Sequence, residues 1–354
     1  MTGTAIGVGA PACPAPFTPA GRVQLGHGSG GKMSAALLAE HFLPHLANPV
    51  LLALGDAAVV PAGAAELAIS TDTFVVSPLE FPGGNIGSLA VHGTLNDVAM
   101  MGARPRYLSA GFVLEEGLPF DLLDRVVGAL AASALAAGVA VVTGDTKVVE
   151  RGKADGMFIN TTGIGALDPE FRPAPHRAAP GDAIMVSGPL GRHGMAIMAA
   201  REGLEFESRI ESDSAALVSL VERLRAVVGP EVHVLRDPTR GGLASTLNEI
   251  AAASRVGMEI EAAAVPVPGD VAAACEMLGL DPLYVASEGV LVAIVPERWA
   301  AAALEALRAD PLGRAATCVG RVVATHPGLV VLRTEIGGTR IVDMLPGDQL
   351  PRIC

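Results

Sequence analysis

Five aspartates stand near strand ends or in polar turns, where their carboxylates could meet. They are Asp56 in LGDAA, Asp72 in STDT, Asp97 in LNDVA, Asp145 in TGDTK and Asp237 in RDPTRGG. Mg²⁺ prefers hard oxygen ligands and shares its coordination shell with water and substrate phosphates, so converging carboxylates are typical of a metal-nucleotide site. A single aspartate is more often a turn residue or a helix cap, and the sequence leaves both interpretations open for each position.

Three segments have residues that favour phosphate binding. Residues 27–33 read HGSGGKM and with Gly26 satisfy GxxxxGK, but Met33 stands where a Walker A loop has Ser or Thr. The segments GPLGRHG (188–194) and RDPTRGGL (236–243) each lead into a predicted helix. Exposed amides and helix N-termini favour anions, so these segments are candidate phosphate cradles. The alternatives are flexible loops and capped helices with surface arginines.

The chain ends in a cysteine, Cys354, which follows Pro-Arg-Ile. A prenylation box needs three residues after its cysteine, so this ending suggests either a thiol on a swinging tail or an accident. The other cysteines, Cys13, Cys275 and Cys318, form no CxxC pair and no His/Cys zinc spacing. Separate thiols suit a reducing compartment, which favours a cytoplasmic protein.

The length and net charge of the chain limit how many domains it can form and which partners it can bind. At 354 residues the chain is long enough for two domains, and its net charge of -12 argues against nucleic acid or an anionic membrane as a partner. The start lacks a secretory pattern, so residues 1–22 are predicted to be a disordered extension. The uncharged stretch 126–143 predicts a buried helix and strand divided at Gly138 rather than a membrane span.

The apolar pattern predicts an α+β fold with two α/β-layered domains. Strand-like runs such as AELAISTDTFVV and GMFINTTGIGAL alternate with helical patterns through residues 23–167, and four prolines mark a linker at 168–181. A sheet-and-helix domain is predicted over 182–334, followed by a mobile tail over 335–354 that carries Cys354. Helices are predicted at 34–46, 193–203, 214–228 and 242–254.

Several segments taken together resemble the HypE family of hydrogenase maturation factors. This family lies in the superfamily of aminoimidazole ribonucleotide synthetase and selenophosphate synthetase. The resemblance covers residues 23–354, and GDTKVV and the terminal PRIC distinguish it from the sister enzymes. It rests on HGSGGK, STDTFVVSPLEFPGGNIG, TLNDVAMMGARPRYLS, GFVLEEGLP, VTGDTKVVERG, SGPLGRHG, RDPTRGGL, SEG at 287–289 and PRIC.

The resemblance implies a homodimer whose N-terminal domains form a shared barrel-like core, with ATP and Mg²⁺ bound in a cleft between domains. The first acidic motif often has two adjacent acids in this family, whereas here Ala57 follows Asp56. By motif position, the implied Mg²⁺ ligands are Asp56, Asp72, Asp97 and Asp237. The implied nucleotide contacts are His27, Gly28, Gly30, Lys32, Asp145, Gly191, His193 and Arg240.

The implied activity is the ATP-dependent dehydration of a carbamoyl group on the Cys354 sulfur to a thiocyanate. A HypF carbamoyltransferase would load the thiol, and a HypC-HypD complex would accept the cyanide. Glu288 and Lys147 are the implied base and polarising group, although a solvated turn for Glu288 and a surface pair of Lys147 with Glu150 are alternatives. The competing functions are a small-molecule synthetase of the same superfamily, which has no use for the tail, and a nucleotide-binding maturation scaffold. Selenophosphate synthesis is disfavoured because HGSGGK has no cysteine.

Overall fold

The computed structural model contains two large sheets, of five and seven strands, each packed against helices, and a small sheet of two strands. The structure describes residues 31–43, 51–54, 56–63, 65–203, 210–345, 347, 350 and 352–354. The helices are α1 (Lys32–Leu37), α2 (Ile86–Met100), α3 (Phe120–Ala136), α4 (Arg192–Glu202), α5 (Val218–Val227), α6 (Gly242–Ser254), α7 (Gly269–Leu278) and α8 (Glu297–Arg308). The strands are β1 (Ala58–Ala62), β2 (Ala65–Phe74), β3 (Glu80–Phe81), β4 (Gly84–Asn85), β5 (Ala103–Glu115), β6 (Ala140–Val149), β7 (Met157–Leu167), β8 (Asp182–Val186), β9 (Val234–Arg236), β10 (Gly257–Glu261), β11 (Val292–Pro296), β12 (Thr317–Val323), β13 (Val330–Arg333) and β14 (Thr339–Val342).

The N-terminal sheet has the strand order β1-β2-β7-β5-β6, antiparallel except for the parallel pair β5-β6. Helix α2 begins at a capping box, in which the Asn85 side chain accepts from the amides of Gly87 and Ser88. It buries 12 of its 15 residues because it lies between this sheet and the C-terminal domain. Strand β6 lies at the sheet edge and its residues 140–148 are exposed, so the described chain does not close a barrel by itself.

The C-terminal sheet has seven strands in the order β14-β13-β10-β12-β8-β11-β9. Its central strands β8 and β11 are buried at every residue, which explains their nearly continuous apolar sequences. The sheet and helix α6 share one core that includes Ile184, Leu247 and Ile294. The predicted α+β fold with two layered domains is therefore confirmed.

Most predicted helices lie where their patterns placed them. Helix α6 spans the predicted residues 242–254, and α4 lies one residue earlier than predicted. The predicted helix at 214–228 begins only at Val218, because the residues before it hydrogen-bond to the N-terminal domain instead. The helix predicted over 34–46 begins at Lys32 and becomes a π-helix at Leu38–Phe42.

The segments predicted as linker and tail both contain residues that are buried against the domains. Residues 168–181 form no helix or strand, yet Phe171 is 1% exposed and joins the core of the C-terminal domain. The tail boundary at 335 was wrong, because β14 pairs with β13 through a turn at Gly337, so the sheet continues to Val342. Strand β14 has only four residues and follows two glycines, so the apolar pattern of the sequence did not identify it as a strand.

The uncharged stretch 126–143 forms the end of α3 and the start of β6, as predicted, with Gly138 at a φ of +68° between them. Among the described residues, no helix is both long enough and apolar enough to cross a membrane.

Candidate active site

A cavity of about 300 Å³ lies where the two domains meet. The N-terminal domain contributes β2, α2 and the turn before β1, and the C-terminal domain contributes the loop after β9 and the segment before β11. The last residue of the chain reaches the same cavity. Its lining residues are Asp56, Ser70, Thr71, Asp72, Phe74, Gly93, Asp97, Arg236, Asp237, Thr239, Arg240, Glu288 and Cys354.

Three of the predicted metal-ligating aspartates converge in this cavity. Asp56, Asp97 and Asp237 each offer a carboxylate oxygen, and these oxygens lie within 4.8 Å of one another. The Oδ2 atoms of Asp56 and Asp237 are buried without a hydrogen-bond partner. Buried oxygens without partners are costly unless a cation binds them, so this set fits Mg²⁺. Asp72 lines the same cavity outside this triad, and its Oδ2 accepts from Thr94 Oγ1 at 3.3 Å.

Burial dominates the electrostatics of the triad. Desolvation raises the pKa of Asp56 to about 8 and that of Asp237 to about 6, although Arg236 opposes both shifts. Desolvation and the neighbouring carboxylates also raise the pKa of Asp97 well above its usual range. Without a cation the triad therefore retains protons near neutral pH. A bound divalent cation would replace those protons and hold the carboxylates ionised.

The RDPTRGGL pattern suggested that its arginines could bind a phosphate, but Arg236 is already paired with carboxylates. Its Nε lies 2.8 Å from Asp56 Oδ1, and its Nη2 lies 2.6 Å from Glu249 Oε2. Arg240 lines the cavity, where Cys354 and the nearby acids raise its pKa. Of the two arginines in this segment, Arg240 is thus the one available to an anionic substrate.

Glu288 is a buried acid rather than a solvated turn residue. It is 2% exposed, and desolvation raises the pKa of its carboxyl well above the ordinary value. Its backbone N–H donates to Asp213 Oδ1 at 3.0 Å, and its carbonyl accepts from the Ala215 amide at 3.3 Å. A carboxyl with a raised pKa beside a bound substrate can exchange protons near neutral pH.

Cys354 reaches the cavity because the segment after β14 returns to the N-terminal domain. Leu350 and Ile353 are buried in the core that contains Phe74, and the Val75 amide donates to a main-chain carboxylate oxygen of Cys354 at 3.1 Å. The described cysteines form no disulfide. Cys354 is thus one of the residues that line the cavity, together with the acids and Arg240.

Other predicted nucleotide contacts lie outside the cavity or outside the described residues. His27, Gly28 and Gly30 belong to the second group. Lys32 pairs with Asp343 at 2.5 Å on the surface. Gly191 and His193 contact other parts of the protein. The Gly191 amide donates to Ser287 Oγ at 2.8 Å, and His193 contacts Ser212 and Ile353.

Asp145 and Lys147 lie on the edge strand β6, far from the cavity of their own chain. Lys147 Nζ lies 2.6 Å from Asp145 Oδ2, with both side chains 70% exposed, so the predicted surface pair exists but with Asp145 in place of Glu150. Three strand spacings separate β6 from β2, or about 14 Å. Lys147 therefore does not reach the Glu288 cavity within one chain.

Two supporting residues were missed by the sequence reasoning. Ser70 donates to Asp97 Oδ2 at 2.7 Å, and Asp213 holds the Glu288 backbone. Ser70 is the first residue of the STDT segment, which offers a weak signal. Asp213 lies in ESDSAAL, a polar stretch with no motif spacing, so nothing local could have identified it.

Comparisons with known proteins agree on one family. The models of the AIR synthase related protein match at residues 54–167 for its N-terminal domain and 179–332 for its C-terminal domain. The chain is 55% identical over 336 residues to the carbamoyl dehydratase HypE of Cupriavidus necator, covering 94% of this chain and 95% of that protein. A HypE structure in complex with ATP matches with a TM-score of 0.79 at 53% identity, covering 93% of this chain and 98% of that one. A HypE-HypF complex matches with a TM-score of 0.84 at 44% identity, covering 88% of this chain and 100% of that one.

Proposed function

Since the chain belongs to the HypE family within the AIR synthase related proteins, we propose that it is an ATP-dependent carbamoyl dehydratase. Its substrate is a carbamoyl group carried on the sulfur of its own Cys354, and its product is a thiocyanate. The observation that carries this proposal is the position of Cys354, a terminal residue that lies in the acidic cavity. The product would supply the cyanide ligand for nickel-iron hydrogenase maturation.

The reaction requires the carbamoyl oxygen to leave and both protons of the amide nitrogen to be removed. The γ-phosphoryl group of ATP is transferred to the oxygen with release of ADP. The oxygen then leaves as phosphate, and the remaining C–N unit on sulfur becomes a nitrile. Glu288 is the proposed proton acceptor, because its buried carboxyl lines the same cavity as Cys354. Arg240 is placed to stabilise negative charge that develops on the transferring phosphoryl group.

Mg²⁺ would be held by Asp56, Asp97 and Asp237. The buried Oδ2 atoms of Asp56 and Asp237, which have no hydrogen-bond partner, motivate the assignment, and Asp72 faces the same cavity. When bound, it supplies positive charge beside the phosphates of ATP. The nucleotide contacts predicted at His27, Gly28, Gly30 and Lys32 remain part of the proposal.

We propose a homodimer in which β6 pairs across the subunit interface. An edge strand of ten residues with exposed Val141, Val142 and Val148 is a template for pairing with another chain. Such pairing would bring Asp145 and Lys147 toward the partner's cavity, which they do not reach in their own chain. Lys147 is then a polarising group that acts across the interface.

The proposed partners follow from the two ends of the reaction. A solved HypE-HypF complex supports HypF as the carbamoyltransferase that loads Cys354. An iron-holding HypC-HypD complex is the proposed acceptor of cyanide. The absence of disulfides among the described cysteines is consistent with a cytoplasmic location.

Intact mass spectrometry tests the proposal. Wild type and Cys354→Ala are incubated with HypF, carbamoyl phosphate and Mg-ATP. A carbamoyl-sized gain that then loses one water, only when Cys354 is present, is the expected result. No adduct on wild type, with HypF active on a control relative, would overturn the proposal and favour a small-molecule synthetase. That alternative also predicts ATP turnover after removal of residues 343–354, whereas a scaffold predicts partner binding without turnover.

A further inference from the structure

The end of the chain is held by hydrogen bonds to its backbone. The Ile353 carbonyl accepts from His193 Nε2 at 2.6 Å, and the Arg352 carbonyl accepts from Arg201 Nη2 at 2.7 Å. The Val75 amide donates to a main-chain carboxylate oxygen of Cys354 at 3.1 Å. His193 therefore holds the residue next to Cys354 and can influence the position of the thiol through the backbone.

Both ring nitrogens of His193 have hydrogen-bond partners within the protein, so neither is left to bind a phosphate. Its side chain is fully buried, and its ring lies edge-on to Phe81 with centroids 5.6 Å apart. A carbonyl only accepts, so Nε2 carries the proton, and Nδ1 must then accept from the Ser212 hydroxyl at 2.8 Å. Burial lowers the pKa of His193 to about 4, which keeps this neutral tautomer at physiological pH.

The partner of Nδ1 belongs to the loop that supports Glu288. Ser212 Oγ also accepts from the Ser214 amide at 3.1 Å, and the intervening Asp213 accepts from the Glu288 amide. The same loop pairs with the N-terminal domain through the Ser212 amide and the Pro82 carbonyl at 2.8 Å. One short segment therefore connects the docked tail to the backbone of the proposed base.

We propose that His193 is a positioning residue that docks the carrier tail and that the loop at 212–215 aligns Glu288 with the docked thiol. This inference rests on the proposed function, in that the tail must carry the carbamoyl group. It reassigns His193 from nucleotide binding, which the GPLGRHG pattern suggested, to recognition of the chain's own C-terminal backbone.

Three substitutions at His193 separate docking from packing. His193→Gln keeps an amide donor close to the position of Nε2, His193→Asn keeps polar atoms only near Nδ1, and His193→Leu keeps volume without either. Loading of Cys354 by HypF and the later loss of water are followed separately by mass under single-turnover conditions. Ser212→Ala, a milder change, removes only the partner of Nδ1.

We expect His193→Leu to slow water loss roughly tenfold or more, the usual consequence of losing one buried hydrogen bond, while Cys354 is still loaded. His193→Gln should retain a faster rate than His193→Asn, and Ser212→Ala should show an intermediate loss. Wild-type water loss in His193→Leu, or equal losses in the Gln, Asn and Leu variants with unchanged melting, would overturn the inference. If wild type itself is loaded but never loses water, the proposed function fails instead.

Discussion

Asp97→Asn should make the metal-free protein more stable and at the same time weaken its response to Mg²⁺. The carboxylate oxygens of the triad lie within 4.8 Å, so two ionised members repel by about 3 kcal/mol or more at an effective dielectric constant of about 20. The raised pKa values mean that protons already relieve part of this repulsion. A net gain of about 1–3 kcal/mol in the free energy of unfolding is therefore expected. The amide oxygen of Asn can still accept from Ser70, which limits other losses.

Mg²⁺, in contrast, should stabilise the Asp97→Asn variant less than it stabilises the wild type. At a concentration 100 times its Kd, a ligand that binds only the folded state stabilises it by about 2.7 kcal/mol. A variant whose affinity is about 100-fold weaker gains only about 0.4 kcal/mol at that concentration. The two proteins should therefore differ most in EDTA and should approach one another, or exchange order, in Mg²⁺.

Thermal melting in EDTA and across a Mg²⁺ titration, with Mg²⁺ binding measured by calorimetry, checks both parts. Asp124→Asn removes an exposed carboxylate on α3 and serves as the matched control, for which neither change is expected. If Asp97→Asn melts below wild type in EDTA and gains as much from Mg²⁺, then the triad is neither electrostatically strained nor a metal site.

Three further outcomes are expected. First, the pKa of Asp56 is raised from 3.8 to about 8, so the metal-free protein loses stability as pH rises between these values. Mg²⁺ should therefore raise Tm more at pH 8 than at pH 6. Equal gains in Tm at the two pH values would contradict this. Glu288→Gln should keep HypF-dependent loading but slow water loss by about 10²–10⁴-fold in single-turnover mass measurements, and a wild-type rate would exclude Glu288 as the base. Lys147→Met and Glu288→Gln should each be inactive alone, whereas mixed dimers should recover activity at one of two sites; no recovery in purified mixed dimers would place Lys147 outside the partner's site.

Local patterns were sufficient for most helices of the fold, although they missed β14 and misplaced the start of α5. Helix α6 was predicted with its observed bounds, because helical periodicity and the preceding glycines are properties of neighbouring residues. The division of 126–143 into a helix and a strand depended in the same way on Gly138. Cys354 was likewise predicted to be the carrier thiol from local sequence, namely the PRIC motif.

Only the tertiary structure shows which residues that are distant in the sequence lie close together. Asp56, Asp97 and Asp237 converge because α2 is packed between the two domains, and no spacing along the chain encodes that contact. His193 was assigned to phosphate from a glycine-rich pattern, yet its ring binds the backbone of the chain's end. Local sequence determines which backbone conformations and which reactive groups are present. The packing of domains and the return of the tail determine which of those groups share one cavity.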